Sequence, residues 1–232
     1  MDDAPVKQSR GHATRTANKL RRRARILDCA REIIAADGYD ALTLSQLARA
    51  AEVSVPTIHN LLGRKSDIIE LIVGDVVDRV GAVLSRPALP GPIETVEAFT
   101  DTLTALYAEN EALYRAAYLA GERTALFTQD APDSIYRRSL DLALDVVRQA
   151  ADGGDLCGEI APEWLAAQMF GAQRLARLDW VQGYIDLHGY RRRTLSGVFI
   201  ALLADATPAF RARLLTRLSA LDAAREETRT RA

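Results

Sequence analysis

Residues 43–65, TLSQLARAAEVSVPTIHNLLGRK, constrain the fold most, because they contain two helix start signals in close succession. Thr43 and Gln46 form a T-x-x-Q capping box, in which the threonine hydroxyl accepts the amide of residue 46 and the glutamine side chain reaches back. Ser54 can cap a second helix, and Pro56 lies in its first turn, where a missing N–H costs little. Two short helices joined by a tight turn have the size of a helix-turn-helix unit.

The apolar residues of this unit define an inner and an outer surface. The inner residues are Leu44, Leu47, Ala48 and Ala51 in the first helix, and Ile58, Leu61 and Leu62 in the second. The residues left at the start and on the outer face of the second helix are Val55, Pro56, Thr57, His59 and Asn60. In a helix-turn-helix such outward positions meet the major groove and its flanking phosphates. The pattern therefore predicts a helix that is presented to DNA.

The distribution of charge favours the same interpretation. The net charge of −1 at pH 7 by itself neither favours nor excludes a nucleic-acid partner. Residues 1–67, however, contain 12 Lys and Arg against 8 Asp and Glu, whereas residues 68–232 contain 18 against 23. Positive charge is thus concentrated in the part of the chain that contains the helix-turn-helix, where phosphate neutralisation requires it.

Together with its flanks, this stretch resembles the TetR family of transcriptional regulators over roughly residues 24–72. The matching residues are Asp37-Gly38-Tyr39, Thr43, Leu47-Ala48, Val53-Ser54, Thr57-Ile58, His59, Leu61-Leu62 and Lys65. The departures from the family pattern are Glu52 for the turn glycine, Pro56 for a small residue, His59 for a phosphate-contacting tyrosine and Leu61 for a second aromatic residue. Glu52 is therefore expected to hold a strained turn conformation that glycine would adopt freely.

The resemblance implies a DNA-binding role for individual residues. The implied DNA-binding set is Thr43, Ser45, Ser54, Val55, Pro56, Thr57, His59, Asn60 and Lys65. Thr57 and Lys65 would touch phosphates, with Thr43, Ser45 and His59 close by. Val55, Pro56 and Asn60 would face bases. An asparagine can pair with an adenine edge and a valine can contact a thymine methyl group.

The rest of the chain has apolar residues at helical spacing and no strand pattern, so it is predicted to be all-α. Helices are expected at 20–36, 66–84, 93–109, 111–122, 134–151, 162–188 and 192–206, with a last helix that opens at Pro208 and frays from 225. The predicted domains are a disordered basic arm (1–18), a helix-turn-helix DNA-binding domain (19–66) and a helical regulatory and dimerisation domain (67–232). Leu20 is placed on the buried face of the first helix.

The basic arm has two interpretations. Residues 1–18 are polar with few large apolar groups, which is typical of disorder. Their cations Lys7, Arg10 and Arg15 can belong to a solvated tail. Alternatively, they form an arm that follows the phosphates or enters the minor groove beside the recognition helix.

The predicted helix at 162–188 has apolar residues on more than one face, which indicates burial inside the protomer and against another chain. The resemblance implies a homodimer formed through about 162–206, and a small molecule bound among the middle helices. The candidate lining of that ligand site is Phe99, Leu103, Tyr107, Tyr114, Tyr118, Phe127, Met169, Phe170 and Gln173. Such a lining would suit a largely apolar ligand with one or two polar groups. A plain helical core is the alternative.

Other classes of function find little support in the sequence. It contains no Gly-rich phosphate loop, no G-x-S-x-G, no H-E-x-x-H and no pair of cysteines at metal-ligand spacing. We therefore expect no enzymatic activity, no cofactor and no metal. The absence of a run of about 20 apolar residues and of an apolar leader segment predicts a cytoplasmic protein without a membrane partner. The lone Cys29 and Cys157 fit a reduced compartment, with Cys29 expected to be buried.

The resemblance to the TetR family implies a ligand-responsive transcriptional regulator, by default a homodimeric repressor that a small molecule releases from a palindromic operator. Two alternatives stay open. One is an activator or architectural DNA-binding protein without a ligand, which a solid C-terminal domain would favour. The other is a helical enzyme or interaction module that keeps the DNA-binding head.

Overall fold

The computed structural model describes residues 10–84, 90–128 and 130–230. Its helices are α1 (Arg10–Asp37), α2 (Leu44–Ala50), α3 (Val55–Leu62), α4 (Lys65–Leu84), α5 (Pro92–Glu109), α6 (Glu111–Arg123), α7 (Ile135–Asp152), α8 (Pro162–Val181), α9 (Leu187–Leu203) and α10 (Pro208–Thr230). Over these ranges no strand forms, and the single extended pairing is an isolated bridge between Leu156 and Ala206. The prediction of an all-α fold is confirmed. None of the described helices is long and apolar enough to cross a membrane.

Helices α1 to α3 form the N-terminal head around a small apolar centre. Its fully buried side chains are Ile26, Ala30, Ile34, Leu42, Leu47, Ala51 and Ile58. The two helix starts are as predicted: the hydroxyl of Thr43 accepts the amide of Gln46 at 3.1 Å, and that of Ser54 accepts the amide of Thr57 at 3.3 Å. Glu52 holds the turn between them at φ 51, the left-handed conformation expected for the residue that replaces glycine.

The first helix is longer than predicted. It begins at Arg10 rather than at Leu20, so the prediction of disorder is wrong for residues 10–18, while residues 1–9 lie outside the described part of the chain. No proline interrupts residues 10–37, and alanine, lysine and arginine are strong helix formers that let a packed helix extend outward. Leu20 is 59% exposed and therefore does not belong to the buried face.

Helix α4 connects the head to the C-terminal helices. Ile68 and Ile69 near its start and Val76 and Val80 near its end are all buried. They belong to one continuous apolar cluster that extends from Ile26 in α1 to side chains of α5, α6, α8 and α9. The head therefore shares its core with the C-terminal helices, and α4 runs through both.

Helices α5 and α7 to α10 enclose a second apolar cluster. It includes Ile93, Val147, Leu165, Phe199 and Phe210. Helices α8 and α9 approach closely at Gly197 and Ala172. A Cβ atom added at Gly197 would lie only 2.7 Å from the Cβ of Ala172, so the packing leaves no room for a side chain at this position.

The predicted continuous helix at 162–188 is wrong, because the chain turns after Val181. Gly183 adopts φ +83, and Asp186 starts the next helix by accepting the amide of Gly189 at 2.7 Å. Helix α9 consequently begins at Leu187, earlier than the predicted position 192. At the other end of the chain α10 continues to Thr230, past the predicted start of fraying at 225, and residues 231–232 lie outside the described ranges.

The two cysteines have different surroundings. Cys29 is partly buried and packs against the core of the head, whereas Cys157 is exposed. The expectation of a fully buried Cys29 is therefore met only in part.

Candidate nucleic-acid interface and cavity

The predicted recognition helix α3 exposes one face and buries the other. Ile58 and Leu62 point into the head, whereas Pro56, His59 and Asn60 are exposed. Val55 and Thr57 are half-buried at the helix start, and Thr43 and Ser45 are exposed at the start of α2. These predicted DNA-binding residues of α2 and α3 are therefore wholly or partly accessible to a partner.

The hydroxyl groups at the start of α3 hold each other in place. The Oγ of Ser54 accepts the backbone amide of Thr57 and lies 2.8 Å from its Oγ1. Thr57 is consequently pre-positioned at the N-terminus of the helix, where the helix dipole favours an anion.

Lys65, the first residue of α4, is half-buried against the head. Its Nζ lies 4.2 Å from the centroid of the Tyr39 ring and donates to the carbonyl oxygen of Asp40 at 3.3 Å. A cation at the start of a helix is unfavourable to the helix dipole, and these contacts offset that cost. Asp67, two residues later in the first turn of α4, accepts the backbone amide of Arg64 at 2.8 Å and caps the helix.

A surface groove of about 380 Å³ separates the recognition helix from the extended first helix. One wall consists of Thr57, Asn60 and Leu61 of α3, and the other of Arg15, Asn18, Lys19 and Arg22 of α1. The cations follow one another at spacings of four and three residues, which places them on one helical face. Sequence reasoning attributed Arg15 to a disordered arm and missed Asn18. The absence of any proline or glycine from residues 12–25 was the signal that could have placed both in the first helix.

A second candidate site is an apolar cavity of about 70 Å³ between helices α4 to α9. Seven predicted ligand residues line it: Phe99, Leu103, Tyr107, Tyr118, Met169, Phe170 and Gln173. Two do not. Phe127 packs behind Tyr118, with ring centroids 5.5 Å apart, and Tyr114 packs on another side of Tyr107. Both residues are core aromatics because they lie behind the residues that form the cavity wall.

One end of the cavity is polar. Gln173 donates to the hydroxyl of Tyr190 at 2.9 Å, and Tyr107 donates to the hydroxyl of Tyr118 at 2.9 Å. Burial raises the pKa of Tyr118 to about 12, against the opposing effect of Arg177. Burial also raises the pKa of Tyr107 and of Tyr190 above the ordinary tyrosine value. These phenols therefore stay protonated near neutral pH and can donate hydrogen bonds.

Sequence reasoning missed Arg177, which also lines the cavity. Its guanidinium donates to Oε1 of Gln173 at 3.1 Å and lies over the rings of Tyr118 and Phe127, 4.5 and 4.2 Å from their centroids. The signal was present in the spacing, since Arg177 follows Gln173 by four residues and so shares its face of α8.

Comparison with known proteins identifies the N-terminal head. Residues 26–72 match the sequence profile of bacterial regulatory proteins of the tetR family, and this segment contains α2, α3 and the start of α4. Residues 26–72 thus have the sequence of a tetR-family DNA-binding module. Members of the TetR family are DNA-binding transcriptional regulators rather than enzymes. No curated protein matches the sequence.

Solved TetR-family structures share the fold. SmeT, the repressor of the Stenotrophomonas maltophilia multidrug efflux pump SmeDEF, superimposes with a TM-score of 0.62 at 19% identity, covering 81% of this chain and 92% of SmeT. The fatty acid degradation regulator FadR from Bacillus halodurans gives 0.61 at 19% identity, covering 76% and 93%. A gamma-butyrolactone receptor described as ArpA-like gives 0.55 at 18% identity, covering 88% and 97%. At these identities the likeness concerns the fold alone.

Proposed function

We propose that this TetR-family protein is a homodimeric repressor that binds a palindromic operator through α3 and is released by a small molecule. The observation that carries the proposal is the exposed N-terminal face of α3, which lies beside a row of cations on α1. A helix-turn-helix with this surface can enter the major groove while cations at its edge neutralise phosphates.

The proposed DNA contacts divide into two groups. Thr57 and Lys65 bind phosphates, assisted by Thr43, Ser45, Ser54 and His59 at the edges of the same surface. Val55, Pro56 and Asn60 face bases, with Asn60 as the residue that can make a bidentate contact to adenine. The α1 face of Arg15, Lys19 and Arg22 lies across the groove from α3, so it adds phosphate contacts without a flexible arm.

The proposed dimer forms through α8 and α9. On α8, Trp164, Gln168, Gly171 and Leu175 are exposed at spacings of four, three and four residues, so they form one stripe along the helix. Trp164 is 69% and Leu175 61% exposed, and Ile200 on α9 is 60% exposed. Apolar side chains of this size are typical of a surface that another chain covers.

The proposed ligand response depends on α4. Ile68 and Ile69 of α4 pack in the head, while Val76, Val77 and Val80 line the cavity. A cavity of about 70 Å³ is smaller than the roughly 300–1,000 Å³ that drug-sized ligands occupy. A ligand of that size must therefore displace wall side chains, which favours a second arrangement of α4 and of the head. Release requires that the ligand bind this second arrangement more tightly, by about 1–3 kcal/mol in typical cases.

The test begins with selection of bound fragments from genomic DNA, followed by affinity measurements on the selected duplex. Thr57→Ala should weaken binding by about 1–3 kcal/mol, as expected for a lost charge-assisted contact. Arg148→Ala is the matched control, because Arg148 is an exposed arginine of α7 in an exposed ion pair with Asp145. Equal affinity of the wild-type protein for all duplexes, or equal effects of the two substitutions, would contradict the proposal.

A further inference from the structure

Arg177 lines the polar end of the cavity and belongs to a cluster with Arg174 and Glu122 that has one more positive than negative charge. Glu122 of α6 accepts two hydrogen bonds from Arg174, Nε to Oε1 at 3.1 Å and Nη2 to Oε2 at 2.5 Å. The same carboxylate lies 3.9 Å from Nη2 of Arg177, which is beyond hydrogen-bond range. Among the described ion pairs this is the one contact of Arg177 with a carboxylate. A single carboxylate therefore neutralises two guanidinium groups only in part.

Arg177 is fixed by its neighbours, but one of its N–H groups lacks a hydrogen-bond partner. The residue is 5% exposed, and its Nη1 is used by Gln173. Its Nη2 is buried and has no hydrogen-bond partner. Its guanidinium group also packs over the aromatic rings of Tyr118 and Phe127. A buried cationic group with an unpaired N–H costs free energy that an acceptor from a ligand would recover.

The remaining walls of the cavity are apolar. They include Val76, Val80, Leu103, Val146 and Met169. A ligand that fits both parts has an apolar body and one anionic end.

We propose that the effector is a small amphiphilic monocarboxylate whose carboxylate pairs with Arg177. A carboxylate has the planar geometry that the guanidinium group binds, and its single negative charge neutralises the one excess positive charge. A phosphate monoester would bring about −1.5 to −2 charges at neutral pH and would leave negative charge unpaired in an apolar cavity. The inference rests on the proposed function, because it names the class of ligand for the same regulatory cavity.

The experiment measures direct binding to the full-length protein without DNA, by calorimetry. The probes are straight-chain carboxylates from butanoate to decanoate, each compared with the primary alcohol of the same chain length. The wild-type protein should bind the best carboxylate at least about tenfold more tightly than its alcohol, since hydrogen bonds to charged groups contribute more than neutral ones. No detectable binding by any carboxylate, or equal binding by the alcohol, overturns the proposal.

Three substitutions give effects of different sign. Arg177→Met replaces the cation by an apolar chain of similar length and should abolish the preference for the carboxylate. Glu122→Gln removes the competing anion and should strengthen carboxylate binding. Arg174→Gln frees Glu122 to pair with Arg177 and should weaken carboxylate binding. If the cluster only stabilised the fold, all three substitutions would weaken carboxylate binding, and this result would overturn the proposal. The Glu122 and Arg174 variants retain the test even if the Arg177 variant does not fold, and Arg148→Gln serves as a surface control without effect.

The readout separates this inference from the proposed function. Carboxylate binding that depends on Arg177 but never releases DNA would leave the cavity assignment standing and contradict the ligand response. Release of DNA by alcohols as readily as by carboxylates would leave the ligand response standing and contradict the role of Arg177.

Discussion

Arg123 at the end of α6 forms an ion pair with Asp40 in the head, with Nη1 3.1 Å from Oδ2. The backbone carbonyl of Asp40 also accepts the hydrogen bond from Lys65. Helix α6 carries Tyr118, which lines the cavity, so one residue of the head connects the cavity-bearing helix with the first residue of α4.

This connection predicts that Arg123→Ala uncouples ligand binding from DNA binding. Both side chains are largely exposed, at 61% and 80%, so the pair should contribute no more than about 1 kcal/mol to stability. We expect unfolding by denaturant to be almost unchanged, and the ratio of DNA affinities without and with ligand to fall. The Arg148→Ala control should keep the wild-type ratio. An unchanged ratio in Arg123→Ala would show that the pair is an incidental surface contact.

Asn60→Ala should reduce sequence preference more than overall affinity. Asn60 is exposed on α3 at the edge of the groove, where its amide can reach a base edge. A bidentate base contact contributes about 1–3 kcal/mol of discrimination, whereas random DNA is held by phosphate contacts that this residue does not make. Competition between the selected duplex and random DNA measures the difference. Equal losses on both would reject the base-reading role.

The cationic face of α1 should appear in the salt dependence of binding. Lys19→Ala and Arg22→Ala should each lower the slope of log affinity against log salt by about one, if each cation neutralises one phosphate. The slope should be unchanged in Arg148→Ala. If the slope in every variant equals that of the wild-type protein, the N-terminal part of α1 is a solvated helix without a DNA contact.

Leu175→Asp should convert the dimer to monomers. Leu175 lies in the exposed stripe of α8, where an interface would bury an unpaired carboxylate at a large cost in free energy. Sedimentation equilibrium measures the change, and Leu20→Asp is the control because Leu20 is similarly exposed on α1. A dimer that survives the first substitution, or dissociates equally after the second, would place the interface elsewhere.

The tyrosines of the cavity predict a loss of stability in alkali. Burial raises the pKa of Tyr118 from the ordinary 10.0 to about 12, so between these pH values the unfolded chain loses a proton that the folded chain keeps. Stability is therefore fully present below pH 10 and falls as pH rises, by about 1.4 kcal/mol per pH unit for each such phenol. Unfolding by urea at increasing pH measures the slope, which should be shallower in Tyr118→Phe. A stability that is constant to pH 12 would contradict the burial of these phenols.

The head could be predicted in detail because its determinants are local. The caps of Thr43 and Ser54 and the left-handed turn at Glu52 are each decided within a few residues. The apolar spacing of α4 likewise predicted its length within one residue.

The features that were missed depend on tertiary structure. Apolar residues continue from Leu178 to Ile185, so periodicity alone hides the turn that Gly183 and Asp186 impose. The charge imbalance at Arg177 depends on Glu122, which is distant in sequence and approaches only in the folded chain. Apolar periodicity predicts where a helix forms, but it does not predict which side chains of other helices contact it.

The most direct test of the account is the stoichiometry and footprint of the protein on its selected operator. Analytical ultracentrifugation of the complex should give two chains per duplex, and footprinting should give two related half-sites one DNA turn apart, about 34–36 Å. Asn60→Ala should weaken both half-sites equally. A monomer on the duplex, a single protected half-site, or no protection by the wild-type protein would contradict it.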